Sequence, residues 1–438
     1  MSMPYRIIAA ALTIATSVAV GIAQQPRIAN ATLSSRPAGS PFQQSFRSLV
    51  AVQADVAWIA YAAPVVDGER VMCCFNSDTV WINGSVVMSD GRTCCRACRL
   101  EPSADGTSMA MRAPAGAGTN TVRLSGSDRM VVMFRIAARE IDRIRVFSED
   151  CELDAGGKPV IWLENVRAAD SIALLESLTA STERRTDRIV DGAISAIALH
   201  GDPAADASLE RLAAASQPEP QRKKVTFWLG NARGARGLAL LKRLLSEDPS
   251  VEVRKSAVFG VSQSREAGAF DLLAQLARAD ESPRIRSEAV FWIAQKDDPR
   301  GAKVVLEALE KDPSAEVRKK AVFALSQFKD DSGIDALIRI ARTGQDAATR
   351  SEAIFWLGQK AGQKVSAVIN ERIDQDPDTE VKKKAVFALS QFPRGEGIPH
   401  LITLARTHPN REVRKQAMFW LAQSKDPRAI ELFAEILK

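Results

Sequence analysis

A chain of 438 residues is long enough for two or three domains, and its 46% hydrophobic content is that of ordinary globular protein. The net charge of +6 comes from 59 Lys and Arg against 53 Asp and Glu, with no basic tract left unbalanced by acids. That mixed-charge surface argues against a nucleic-acid partner, and three histidines leave little for general acid–base chemistry.

At the N-terminus, Arg6 precedes an apolar run from Ile7 to Ala23, and Gly21-Ile22-Ala23 before Gln24 fits a small-residue cleavage site. Residues 1–23 are therefore expected to be a signal peptide, with an uncleaved anchor as the alternative. The mature chain is expected to be periplasmic or secreted, with no stable membrane span once the signal is removed. Residues 24–45, rich in Ser, Pro, Ala and Gln without a hydrophobic period, predict a flexible linker.

Residues 46–165 predict a small β-rich domain. Short apolar or β-branched runs at Val56–Tyr61, Thr79–Ile82, Met130–Phe134 and Val160–Leu163 are separated by Gly and Asp clusters, as strands and turns require. The segment Glu140–Phe147 is ambiguous between strand and helix. All six cysteines lie here: Cys73, Cys74, Cys94, Cys95, Cys98 and Cys151. An even, clustered set in an exported chain predicts up to three disulfides. Bridging adjacent cysteines strains the ring, so Cys73 and Cys74 are expected to pair within the 94–98 cluster, leaving one of that cluster for Cys151. Cys95-Arg96-Ala97-Cys98 fits a disulfide scaffold better than a redox or metal site. The acidic loop Glu149–Asp154 lacks the spacing of a Ca²⁺ loop, and no metal or other cofactor is expected. Trp58, Trp81 and Trp162 offer either core packing or a surface for sugars.

From residue 166 to the C-terminus the pattern is helical, and from Arg222 it repeats every 32 residues without insertion or deletion. Phe227, Phe259, Phe291, Phe323, Phe355, Phe387 and Phe419 mark the copies, and Ala193 aligns with a divergent earlier one. Four residues past each Phe stands Asn231, Gln263, Gln295, Gln327, Gln359, Gln391 or Gln423. Trp228, Trp292, Trp356 and Trp420 follow the Phe in every second copy. Asp248-Pro249, Asp312-Pro313 and Asp376-Pro377 mark turns, with Pro suited to a first helical position. The count is eight helix pairs and a terminal helix.

On a helical wheel started at Val317, the residues Ala321, Ala324, Leu325 and Phe328 form one buried stripe. Phe323 falls nearly opposite, beside Lys320 and Gln327. Seven such Phe in register predict either an apolar ladder for a partner segment or rings buried between neighbouring helices. The Trp residues share the wheel position of Ala324, which predicts Trp in the core alternating with small residues as a 64-residue double repeat. The column Arg254, Arg286, Arg318, Arg350 and Arg414 is expected to pair with turn carboxylates such as Asp248, Asp312 and Asp376.

The run Asp312-Pro313-Ser314-Ala315-Glu316-Val317-Arg318-Lys319-Lys320-Ala321-Val322-Phe323-Ala324-Leu325 resembles the HEAT-repeat pattern, in the short bacterial form of phycobilisome lyase-type proteins. The resemblance covers about residues 170–438. It implies an α-solenoid of antiparallel helix pairs whose second helices line a concave face, serving mostly as a protein-binding scaffold and occasionally as an enzyme. His200, His400 and His408 show no carboxylate–His–nucleophile pattern. The expected function is an exported, non-enzymatic scaffold or adaptor binding an envelope or secreted protein through the Phe and Gln columns. The alternatives are an enzyme of lyase type, or a glycan- or ligand-binding role for the β-rich domain.

Overall fold

The computed structural model describes residues 27–67, 80–82, 85–87, 98–101, 128–149, 153–180, 187–296, 298–328, 331–360 and 363–437. The expected signal peptide, five of the six cysteines and the side chain of Cys98 lie outside the described residues, and the disulfide expectation falls with them. The chain forms two compact units, which meet in sequence between Ser171 and Ile172.

The first unit is built on a five-stranded sheet of order β2-β10-β3-β7-β8, from β2 (Thr32–Pro37), β3 (Ala57–Pro64), β7 (Arg129–Ala137), β8 (Glu140–Ser148) and β10 (Pro159–Glu164). Strands β2, β10 and β3 run parallel, and β3, β7 and β8 antiparallel. Two smaller sheets join β1 (Ile28–Ala29), β9 (Leu153–Asp154) and β6 (Cys98–Arg99), and β4 (Val80–Ile82) with β5 (Ser85–Val87). Strand β3 is buried along all but its last residue, as a central strand covered on both faces must be. On one face, helix α1 (Phe42–Ala51) brings Phe42 and Phe46 against Tyr61 and Phe134. On the other, Trp58, Met133, Phe147, Val160 and Trp162 form a second apolar cluster. There the Trp58 indole and the Arg135 guanidinium both donate to Glu101, the indole at 2.9 Å and the guanidinium through two bonds of 2.8 Å.

Two expectations change here. Residues 24–45 hold β1, β2 and the start of α1 rather than a featureless linker. Strand β2 is exposed at every residue and is held by backbone pairing with β10, so it has no apolar alternation to betray it. The ambiguous segment Glu140–Phe147 is a strand. Its hairpin turn is formed by Ala138 and Arg139 at φ 52° and 64°. Both residues take the left-handed conformation that such turns demand, without the Gly or Asn that normally announces it.

The second unit continues from α2 (Ala168–Ser177), which begins in the first, through α3 (Asp187–Leu199), α4 (Ala204–Ala213), α5 (Glu219–Ala232), α6 (Gly234–Glu247), α7 (Val251–Gln263), α8 (Gly268–Ala279) and α9 (Pro283–Gln295). It goes on through α10 (Gly301–Lys311), α11 (Ala315–Gln327), α12 (Asp331–Thr343), α13 (Ala347–Gly358), α14 (Gln363–Gln375), α15 (Thr379–Ser390), α16 (Ile398–Thr407), α17 (Arg411–Ser424) and α18 (Pro427–Ile436). Odd-numbered helices from α3 to α17 stack in one layer and even-numbered ones in the other. The odd layer, which carries the Phe column, is the more closely stacked of the two. Val317, Ala321, Ala324 and Leu325 are buried as the wheel requires. Between α5 and α7 the backbones touch: a Cβ on Gly230 would stand 1.9 Å from the Gly260 carbonyl oxygen, so only glycine fits there.

The turns explain why the period is so strict. Asp248, Asp280, Asp312 and Asp376 each accept a hydrogen bond from the backbone N–H two residues on, at 2.8–3.0 Å. Three of these carboxylates also take a two-bond guanidinium fork from the preceding copy. Arg222 grips Asp248, Arg286 grips Asp312 and Arg350 grips Asp376, at 2.6–3.1 Å. Of the expected Arg column, Arg286 and Arg350 thus pair with turn carboxylates as predicted, and with Arg222 the fork recurs every 64 residues. Arg254, Arg318 and Arg414 donate to the carbonyls of Asp248, Asp312 and His408 in the turn before them, and Arg318 also lies 3.9 Å from the Asp346 carboxylate of the next turn.

Breaking a buried pair from one side leaves an uncompensated charge, at a cost of about 3–5 kcal/mol. Arg286→Ala is therefore expected to loosen α9 to α11 by that amount, read as faster amide hydrogen exchange there while α5 and α17 are unchanged. Burial is the largest single influence on the Asp312 and Asp376 carboxyls and raises their pKa, but the bonds from Arg286 and Arg350, the turn N–H bonds from Ser314 and Asp378 and the nearby guanidinium charges together outweigh it, and both lie below the ordinary carboxylate range. Their contribution is complete above the unfolded value near ~4 and is lost as pH falls through the lower native values. The 64-residue recurrence adds a second expectation. Deleting residues 283–346 keeps every Arg opposite its Asp, whereas deleting 283–314 sets Arg against the wrong partner. The shorter deletion should lower the melting temperature more; equal losses would remove the double repeat as the structural unit.

Candidate functional site

The Phe rings of the odd helices are neither fully exposed nor enclosed. Phe227, Phe259, Phe291, Phe323, Phe355 and Phe387 are half-buried, and only Phe419 reaches 52% exposure. They stack two by two. Ring centroids of Phe227 and Phe259 lie 5.9 Å apart, those of Phe291 and Phe323 5.9 Å, and those of Phe355 and Phe387 6.1 Å. The last two pairs are nearly parallel, at 5° and 3°.

The Trp residues close the gaps between pairs. Trp292 lies 4.6 Å from Phe259 and 4.9 Å from Phe291; Trp356 lies 4.8 Å from Phe323 and 5.0 Å from Phe355; Trp420 lies 4.9 Å from Phe387 and 5.0 Å from Phe419. Phe227 to Phe419 is one unbroken aromatic ladder across seven helices. Placing Trp in the core is corrected: Trp228, Trp292, Trp356 and Trp420 are all half-buried. A wheel locates the Cβ, and the Cβ of Trp292 does start in the stripe. The indole is too long to stay there, and it runs out along the helix to lie between Phe rings. Its Nε1 then donates to Glu288 at 2.7 Å, as that of Trp356 does to Glu352 at 2.9 Å. Each edge-to-face or stacked aromatic contact adds about 0.5–1.5 kcal/mol beyond the area it buries.

Charge is placed on the ladder with the same 64-residue beat. The Lys320 ammonium lies 5.3 and 5.7 Å from the centroids of Phe291 and Phe323, and that of Lys384 lies 4.6 and 5.1 Å from those of Phe355 and Phe387. Past the rings come the amides. Gln263, Gln327 and Gln391 donate to Ser262, Ser326 and Ser390 at 2.9–3.1 Å, and Asn231 donates to the Phe227 carbonyl at 3.0 Å. Gln295, Gln359 and Gln423 are exposed, and their amides have no hydrogen bond among the described residues.

The histidines belong to the turns. His408 stands where other copies have the turn Asp, and its Nδ1 accepts from the Asn410 N–H at 3.1 Å. Lys382 then replaces the Arg that would have faced a carboxylate, and donates to the carbonyls of Ile373 and Asp374. His200 lies in the other kind of turn, between α3 and α4, where its Nδ1 accepts from the Asp202 N–H at 3.2 Å. His400 is exposed, 3.5 Å from Asn370. Trp58 and Trp162 are buried in the sheet and cannot meet a sugar, and the side chain of Trp81 lies outside the described residues. Among the described residues no cluster of three or more His, Cys, Asp and Glu is placed to hold a metal ion, and no helix is long and apolar enough to cross a membrane.

Residues 270–358 and 366–438 match the family model for HEAT repeats, and residues 270–438 carry such repeats. Solved structures that match part of this chain include human deoxyhypusine hydroxylase in complex with glycerol, at 17% identity over 59% of this chain and 97% of that one, with a TM-score of 0.25. A structure of Kap95p with RanGDP matches at 14% identity over 58% of this chain and 39% of that one, TM-score 0.40. The full-length AP-3 complex matches at 15% identity over 54% and 47%, TM-score 0.33. This chain thus spans less than half of the last two. No curated protein matches the sequence.

Burial drives the His200 pKa down to about 4, with Asp202 opposing and Arg233 adding to the shift. The native state therefore holds this ring neutral where the unfolded chain would protonate it. The contribution is complete above about pH 6.5 and is lost as pH falls toward 4, on the order of 3 kcal/mol in all. His200→Asn keeps an acceptor and removes the titration. Thermal unfolding followed by circular dichroism should then show a flatter stability profile between pH 6.5 and 4 than in the parent.

Proposed function

We propose that this protein is an exported scaffold that holds a segment of another protein on the aromatic ladder of its HEAT array. The continuous ladder carries this reading. HEAT arrays are a fold commonly used for protein–protein interaction, and this one presents ring faces, ammonium groups and amides in register along one layer of helices. Half-buried rings are already ordered, so a partner that covers them loses little side-chain entropy in the process. The exposed amides of Gln295, Gln359 and Gln423 offer donors and acceptors to a peptide backbone beside the rings. Arg6 and the apolar run after it support export, and on that reading the partner is in the envelope or outside the cell.

Photo-crosslinking in cells that make the full chain tests this directly, with the reactive residue placed at Gln295, Gln359 or Gln423. A discrete protein adduct is expected, and Phe291→Glu/Phe323→Glu/Phe355→Glu should abolish it. Because those rings also pack on each other, a variant with alanine at the two of Gln295, Gln359 and Gln423 that do not carry the reactive residue serves beside it. That variant should melt like the parent and lose the adduct at least tenfold. Adducts absent from all three positions, or unchanged in both variants, would refute the ladder as the binding face.

A further inference from the structure

We propose that the occupant of the ladder is an extended acidic peptide segment, with two carboxylates about six residues apart that reach Lys320 and Lys384. This rests on the ladder being the binding face and names the chemistry of what it holds.

The starting observation is that neither Lys320 nor Lys384 has a carboxylate within ion-pair distance among the described residues, although each is half-buried over a pair of Phe rings. Glu288 and Glu352, which occupy the same column in the intervening copies, hold the Trp292 and Trp356 indoles instead. One residue before each ring-bound lysine stands Lys319 or Lys383. Lys319 is exposed without a partner among the described residues, and Lys383 leans back one turn onto Glu380 at 3.0 Å. The Phe-bearing face is therefore banded along each Phe–Phe unit. A lysine band lies beside the aromatic band, and an amide band lies on its far side.

A partner that covers the rings also takes water away from Lys320 and Lys384. Unpaired ammonium groups resist that desolvation, and an occupant bringing carboxylates removes the penalty while a neutral or basic one does not. The amide band argues that the occupant is extended. A helix has satisfied its own backbone groups, whereas an open chain has N–H and C=O groups to give to Gln295, Gln359 and Gln423. Spacing then follows. Lys320 and Lys384 lie two copies apart, about 20 Å at the ~10 Å separation of packed helices. An extended chain rising ~3.3 Å per residue covers that in about six residues.

A displayed library of random sixteen-residue peptides, selected on the full-length protein, reads this directly even while the natural partner is unidentified. Enriched peptides should carry two acidic residues five to seven apart with apolar residues between them. The best of them should bind at least tenfold more weakly to Lys320→Glu/Lys384→Glu, whose fold is checked by circular dichroism, and should weaken with added salt. Selection on that variant should enrich basic peptides instead. Enrichment of neutral or basic sequences on the parent, or no enrichment at all, overturns the proposal. So does equal binding of an enriched peptide to parent and variant. If such a charge-indifferent peptide still needs Phe323, the acidic assignment fails while the ladder keeps its role. The adducts in cells decide the ladder's role separately. Competition by phosphatidylglycerol vesicles or single-stranded DNA, with no acidic peptide enriched, also overturns it.

Discussion

The buried fork between Arg222, Arg286 or Arg350 and the turn carboxylate of the next copy is the interaction on which the array's register depends. Each carboxylate is shared between the guanidinium and the N–H that starts the following helix, so it ties the end of one helix to the entry of another. Net stabilisation from such a pair is small, because both charges give up water. Its effect is on choice of geometry. Apolar stripes of Val, Ala, Ile and Leu would pack in several slipped registers, but only one of them leaves no charge buried alone. A single inserted residue per copy would move every Arg off its Asp, which is a physical reason for a period held at 32 without exception.

Once the register is fixed, the aromatic face follows from it. Small residues in the stripe bring neighbouring odd helices close, as the Gly230–Gly260 contact shows. Rings projecting from adjacent helices then have nowhere to go but against each other. Two Phe can stack face to face across one helix interface, and the broader indole fills the next. The alternation of Lys and Glu in the column beside them is the electrostatic counterpart: ring faces attract the ammonium groups of Lys320 and Lys384, while indole N–H groups attract the carboxylates of Glu288 and Glu352. Core, ladder and charge thus share one 64-residue unit because each depends on the same pair of helix interfaces.

Much of this was legible in the sequence, and the gaps have physical causes. Helices, period, turn carboxylates and the Arg column are local features repeated many times, so spacing alone revealed them. The Phe column was correctly placed off the core stripe, but a wheel has no neighbours on it, and ring-on-ring stacking between copies could not be seen. The Trp position misled for a related reason, since the wheel marks where a side chain begins rather than where a long one ends. In the sheet unit the central strands announced themselves by apolar runs. The edge strand Thr32–Pro37 did not, because backbone pairing leaves no mark on side-chain pattern. The hairpin through Ala138 and Arg139 hid behind residues that seldom take a left-handed turn.

The two lysine-capped Phe pairs, Phe291–Phe323 and Phe355–Phe387, are copies of one another displaced along the stack. A short ligand with a single matching feature sees them as interchangeable and can shift from one to the other with no change in energy. A longer ligand with two such features has a single alignment that uses both. The face therefore works as a gauge: it separates partners by the interval between their contact groups, even when those groups are the same.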